Sequence, residues 1–216
     1  MATTTVLGLT LTLTPPLLTT LRLLPLLSAT ASLTHAYCEW LTTTSFLHPP
    51  ATSSRLTRSI VKPSSSNSTS TPQIPTNNTA ALEAAKDILI PVWFVNFFHT
   101  GLYSVIGFNS LTTSSALANL FLFPDGLGGE GKMWYTAGLV AALAHYAFVP
   151  GVMGSVERLF TLCVRRARGG EVEEEETGAA ARSVREWVGV HRVRWGTVDA
   201  WAWGCFLVGV VGVLTP

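Results

Sequence analysis

The chain has 216 residues, only 12% of them charged, against about 25% in soluble domains. Mean hydropathy is +0.37, so membrane residence is the economical reading, with room for about four spans of roughly 20 residues in one small bundle. A net charge of +1 gives no case for a nucleic-acid partner, and the isolated Cys38, Cys163 and Cys205, without CxxC spacing, indicate neither a zinc site nor a disulfide framework.

The first apolar region, Val6 to Leu47 within residues 1–47, is interrupted by Pro15, Pro16, Arg22 and Pro25 and is rich in Thr. Its first ten residues lack the basic n-region of a signal peptide. A retained helix is therefore expected near Leu17 to Trp40, its Thr and Ser hydroxyls bonding to the preceding turn. From His48 to Thr79 the composition shifts to Pro, Ser, Thr and Asn, around SSSNSTSTPQIPTNNT. Too little apolar area is available there to offset ordering, so residues 48–86 read as a flexible loop.

Residues 87–216 carry three further expected spans. The second begins near Asp87 and reads ILIPVWFVNFFHTGLYSVIGF, with Leu117 to Phe123 as its continuation. PDGLGGEGK, Pro124 to Lys132, reads as a turn. A third span follows from Met133 to about Met153, which Pro150 should kink or end. Glu157 to Arg185, where RRAR precedes EVEEEE, reads as a charged loop. Glu186 to Leu214 supplies the fourth span and is uncharged beyond Asp199. The fold class expected is all-α, a four-helix transmembrane bundle.

Arg55, Arg58, Lys62 and Lys86 lie in the first loop and Arg165, Arg166, Arg168, Arg182 and Arg185 in the third, whereas the second has only Lys132. The positive-inside rule then puts the first and third loops in the cytosol and both termini across the membrane. Two glycosylation sequons, at Asn67 and Asn77, point the other way. Such triplets arise easily in a Ser/Thr/Asn-rich tract, so the charge bias decides.

Ionisable groups at membrane depth cost at least about 2.5 kcal/mol to insert and are functional candidates by default. His35 and Glu39 are one helical turn apart, so the carboxylate could fix the imidazole tautomer, or the two could form a plain interfacial pair. Asn96, His99 and Tyr103 fall on one stripe that is expected to turn inward, with His99 either a general base or structural glue. His145 and Tyr146 are adjacent, so at most one can face the same cavity. Trp187, His191 and Arg194 share one helical face, and an Arg194–Asp199 contact would compensate partial burial. Trp187 and Trp195 suit an aromatic belt at the membrane surface. No HExxH, CxxC or EF-hand spacing points to a metal, and no Gly-rich nucleotide loop or GxSxG elbow is present.

WFVNFFHTG, Trp93 to Gly101, and WVGVHRVR, Trp187 to Arg194, resemble marks of the anthrone oxygenase-like family, small four-helix membrane proteins of fungal polyketide pathways. The longer first loop and the third-span ending HYAFVPGVMGS depart from that pattern. The resemblance implies oxidation of an anthrone by O₂ to an anthraquinone without a bound cofactor or metal. It implies His99 or His191 as base, Arg194 as oxyanion partner, and Trp93, Phe97, Trp187 and Trp195 as walls; Asn96 and Tyr103 join the expected substrate contacts because they share the His99 stripe. The partners expected are membrane lipid, a hydrophobic aromatic molecule and O₂, in an endomembrane such as the endoplasmic reticulum. A non-catalytic membrane scaffold is the alternative, and convergence of His99, His191 and Arg194 on one pocket is the discriminator.

Overall fold

The computed structural model describes residues 1–48, 56, 60, 76–170 and 176–215. Four helical rods, Pro15–Leu47, Ala81–Leu122, Gly128–Ala167 and Ala179–Leu214, are each long and apolar enough to cross a membrane. The protein is thus an all-α four-helix bundle of the multi-pass membrane kind. An antiparallel hairpin precedes it, β1 (Ala2–Val6) and β2 (Leu9–Leu13). Its two-residue turn, Leu7 and Gly8, has positive φ at both positions, the geometry that matches strand twist. Grouping Val6 onward with the first apolar region missed this Thr/Leu alternation.

The first helix, α1 (Pro15–Leu47), starts on the two prolines that had seemed to interrupt it. In the first turn their missing N–H groups have no intrahelical partner to lose. Pro25 lies inside the helix and leaves the Leu21 carbonyl without its usual donor four residues on. Asn119 Nδ2 supplies the replacement from a neighbouring helix, at 2.8 Å. The Ser and Thr hydroxyls do bond back one turn, among them Ser28 to Leu24 O and Thr34 to Thr30 O.

The second rod contains α2 (Thr76–Leu117) and a π-helical turn, Ala118–Leu122. It continues through Leu117 as expected, but helix already begins at Thr76, inside the predicted loop. Apart from His48, Leu56 and Ile60, the rest of that loop, with Arg55, Arg58, Lys62 and Asn67, lies outside the described residues. After a tight turn closed by Leu127 N–H to Pro124 O, the third rod comprises α3 (Gly128–Ala144), a 3₁₀ turn (His145–Phe148) and α4 (Val149–Ala167). Pro150 therefore does not end the span. It cannot donate to Tyr146 O, and the backbone tightens locally and carries on.

The fourth rod joins α5 (Ala179–Arg194) to α6 (Ala200–Leu214) through a π-helical turn, Trp195–Asp199. The expected charged loop of Glu157 to Arg185 is thereby corrected, since 157–167 and 179–185 are helical. Their charges sit on the outer faces of amphipathic helices while Leu159, Leu162, Val184 and Val188 are buried between them. Arg158 pairs with Glu186 across the two helices, and Arg165 and Arg166 pair with Glu176. Asp87 of α2 accepts a hydrogen bond from Gly178 N–H at 2.8 Å, fixing the entry to α5.

The rods, of 33 to 42 residues, would be about 50–63 Å long, well beyond a hydrocarbon core of about 30 Å. They form two tiers with separate cores. In the first, α3 and α6 pack with the adjoining halves of α1 and α2 around Tyr135, Leu139, Phe206 and Val210. Contact there is close: a Cβ at Gly138 would lie 2.8 Å from the Phe206 ring. The second tier packs α4 and α5 against the other halves of α1 and α2 around Ile90, Phe94, Leu159 and Trp187. The α3 and α6 segments, of 17 and 15 residues, rise about 22–26 Å, close to a hydrocarbon thickness.

Candidate functional site

Between the two cores lies a band of ionisable side chains: buried Glu39 and partly buried His35 on α1, buried His145 at the 3₁₀ turn, and partly buried His191 with buried Arg194 and Asp199 around the α5–α6 junction. The local backbone explains their meeting. Trp187, His191 and Arg194 follow at offsets of four and three and share the inward face of α5, as the spacing predicts. Asp199 is five residues beyond Arg194 and would point elsewhere on a regular α-helix. The π-turn widens the helix by one residue and brings it back into line. On the third rod the 3₁₀ turn aims His145 inward and leaves its neighbour Tyr146 exposed.

The band divides into two groups with different chemistry. Asp199 Oδ1 lies 2.9 Å from His145 Nδ1, and Arg194 Nε donates to Asp199 Oδ2 at 3.1 Å. Arg194 Nη1 faces His145 Nε2 at 3.5 Å. Since a guanidinium has no acceptor, Nε2 carries the lone pair and Nδ1–H is the donor to Asp199. All three side chains are more than nine-tenths buried. The guanidinium is balanced by one carboxylate, and the imidazole is held in one tautomer: this group is closed upon itself.

The second group is open. Glu39, 5% exposed, directs Oε1 toward His35 Nε2 at 3.9 Å and Oε2 toward His191 Nε2 at 3.6 Å. Both separations exceed hydrogen-bond length. Glu39 Oε2, His35 Nε2 and His191 Nδ1 are buried without a hydrogen-bond partner. Gly101 makes room for the carboxylate, because a Cβ there would stand 3.1 Å from Oε1. The Trp187 ring lies against the His191 imidazole, with centroids 3.8 Å apart, and limits its rotation.

His191 also lines a groove of about 520 Å³ between α1 and the α5–α6 junction, with Ala36, Tyr37, Trp40, Arg192, Trp195 and Gly196. Its walls are largely aromatic, and Gly196 leaves open space where a side chain would protrude. A flat apolar molecule in this groove would present its edge to an imidazole backed by a carboxylate. That arrangement can accept a proton and hold it as an imidazolium–carboxylate pair.

The predicted residues are sorted by this geometry. The expected Arg194–Asp199 contact is present, while His191 faces Glu39 instead. Arg194, however, turns inward to Asp199 and His145, while the arginine on the groove is Arg192. Asn96, His99 and Tyr103 do not face the interior: all three are exposed, and His99 only flanks the Phe160 ring. Trp93 and Phe97 stack on each other at 4.9 Å and belong to the second-tier core. Trp187 is 2% exposed, in the core and not in a surface belt, whereas Trp195 is half-exposed on the groove. Of the expected walls, Trp195 alone lines the groove. Tyr37, Trp40 and Arg192 had no linear signal, whereas the His35–Glu39 spacing did point to the carboxylate. Among the described residues no group of three His, Cys, Asp or Glu side chains is arranged to hold a metal ion. No protein family, curated protein or solved structure matches the chain.

Proposed function

We propose that the protein is a membrane oxidoreductase that converts a hydrophobic anthrone-type polyketide to its quinone with O₂, with His191 as the base. The observation that carries this reading is that His191 belongs at once to the aromatic groove and to the open group around Glu39. The ring methylene of an anthrone is acidified because the resulting anion is delocalised over the aromatic system. His191 takes that proton, and Glu39, 3.6 Å away, stabilises the imidazolium. The electron-rich carbanion then reduces O₂. Overall the CH₂ becomes C=O, one oxygen atom is retained and the other leaves with the two hydrogens as water.

Arg194 acts in this scheme as a positioning residue: with Asp199 and His145 it fixes the α5–α6 junction from which His191 and Trp195 project. The groove lies about one hydrocarbon thickness from the far end of α6, so a lipid-soluble substrate reaches it laterally from the bilayer. One observation favours a non-catalytic scaffold, namely that the closed Arg194–Asp199–His145 group would serve equally as an interhelical lock.

Expression in a host that accumulates an anthrone separates the two. Quinone should form with the wild type above an empty-vector control and fall to the control level in Gly196→Leu, whose side chain enters open groove space. Wild-type conversion equal to the vector would remove the proposed activity.

A further inference from the structure

The charges around the groove point to the substrate's chemical class, an inference that rests on the reading above. Inside the band, Arg194 is matched by Asp199, and Glu39 is flanked by two imidazoles. Among the described residues that line the groove, the only full charge is Arg192, one residue beyond His191. It is exposed and has no ion-pair partner among the described residues. Arg168, Arg182 and Arg185 of the same tier are likewise exposed without a carboxylate partner among the described residues, so it is its place on the groove that distinguishes Arg192.

We infer that Arg192 is the counter-ion for an acidic substituent, and that the groove takes an aromatic acid, a fused phenolic ring system bearing a carboxylate. The flat body lies against Tyr37, Trp40 and Trp195, and the guanidinium receives the carboxylate in its two-pronged donor fork. Because residues 191 and 192 are adjacent on α5, the anchored carboxylate and the methylene presented to His191 must lie at different edges of the molecule. Arg192 therefore determines which substrates dwell in the groove and in what orientation. A partly desolvated carboxylate at an aromatic-lined wall gains more from such a pair than an exposed one does.

Binding is measured without turnover, by quenching of tryptophan fluorescence in phosphatidylcholine nanodiscs. The probes are 4,5-dihydroxyanthraquinone-2-carboxylate and the same molecule without its carboxylate, 1,8-dihydroxyanthraquinone. The carboxylate should bind about tenfold more tightly to the wild type. Arg192→Gln should abolish that preference, and Arg192→Lys should keep part of it. Equal affinity of the two probes, or a preference that survives Arg192→Gln, overturns the inference. So does loss of the preference when about one-fifth of the lipid is phosphatidylserine, which would make Arg192 a headgroup contact. Preferential binding without quinone formation would leave this assignment standing and sink the enzymatic reading alone. Quinone formation with no preference would do the reverse.

Discussion

At the residue scale the deciding contrast is between polar groups that satisfy one another and groups that do not. Arg194, Asp199 and His145 use their charges and lone pairs within the group, as buried ions must if their desolvation is to be offset. Asp199→Ala should therefore cost about 3–5 kcal/mol of stability by stranding Arg194. Pairing it with Arg194→Met should recover most of that loss, because no buried charge then remains. Thermal unfolding in detergent checks both; a loss below about 1 kcal/mol for the single variant would contradict the assignment. Glu39 and its two imidazoles are the opposite case, with polar atoms at 3.6 and 3.9 Å and no bonds made. Unsatisfied buried groups are costly and uncommon in folded proteins, so this is where a proton-handling role is placed.

At the element scale the rods survive features that ordinarily break helices, and each survival has a visible cause. The Pro25 defect in α1 is repaired from the second rod by Asn119. Asn119→Ala should cost about 1–3 kcal/mol in the wild type by leaving Leu21 O unpaired. It should cost less in a Pro25→Ala background, where the backbone N–H restored at position 25 fills the role. A double-mutant cycle measured by thermal unfolding should give a coupling of about 0.5–3 kcal/mol, and strict additivity would refute the repair. This scale also explains what could be read directly from the sequence. The Trp187, His191 and Arg194 face follows from helical spacing alone, and the four membrane spans from the length of their apolar runs. The Asn96, His99 and Tyr103 stripe was equally regular, but spacing says only that residues share a face. In a bundle whose interior and surroundings are both apolar, spacing does not say which way that face turns. Glu157 to Arg185 misled for a related reason: in its helical parts, 157–167 and 179–185, most charges mark the outer faces of helices longer than a bilayer is thick. Contacts between His145 and Asp199, 54 residues apart, leave no linear trace.

At the scale of the whole molecule the two tiers give the site its setting. A mostly apolar tier about 22–26 Å tall, with Arg22, Glu130 and Lys132 as charges on its helices, matches the hydrocarbon core, and an amphipathic tier follows it. The ionisable band falls at their junction, where aromatic side chains and buried charge are both sustainable. Arg165 and Arg166 at the end of α4, with Arg182 and Arg185 in the first half of α5, lie toward the far pole of the second tier, on the side that the positive-inside rule assigns to the cytosol. The groove thus opens where a lipophilic aromatic molecule would concentrate. The central claim is that His191 there, and not the outward-facing His99, removes the substrate's proton. The most direct test is the initial rate of quinone formation from 1,8-dihydroxyanthrone under air by purified protein in nanodiscs, corrected for protein-free oxidation. His191→Ala should lower the protein-dependent rate by at least about 100-fold, while His99→Ala stays within about twofold of the wild type. Loss of activity in His99→Ala with His191→Ala unaffected would contradict the account.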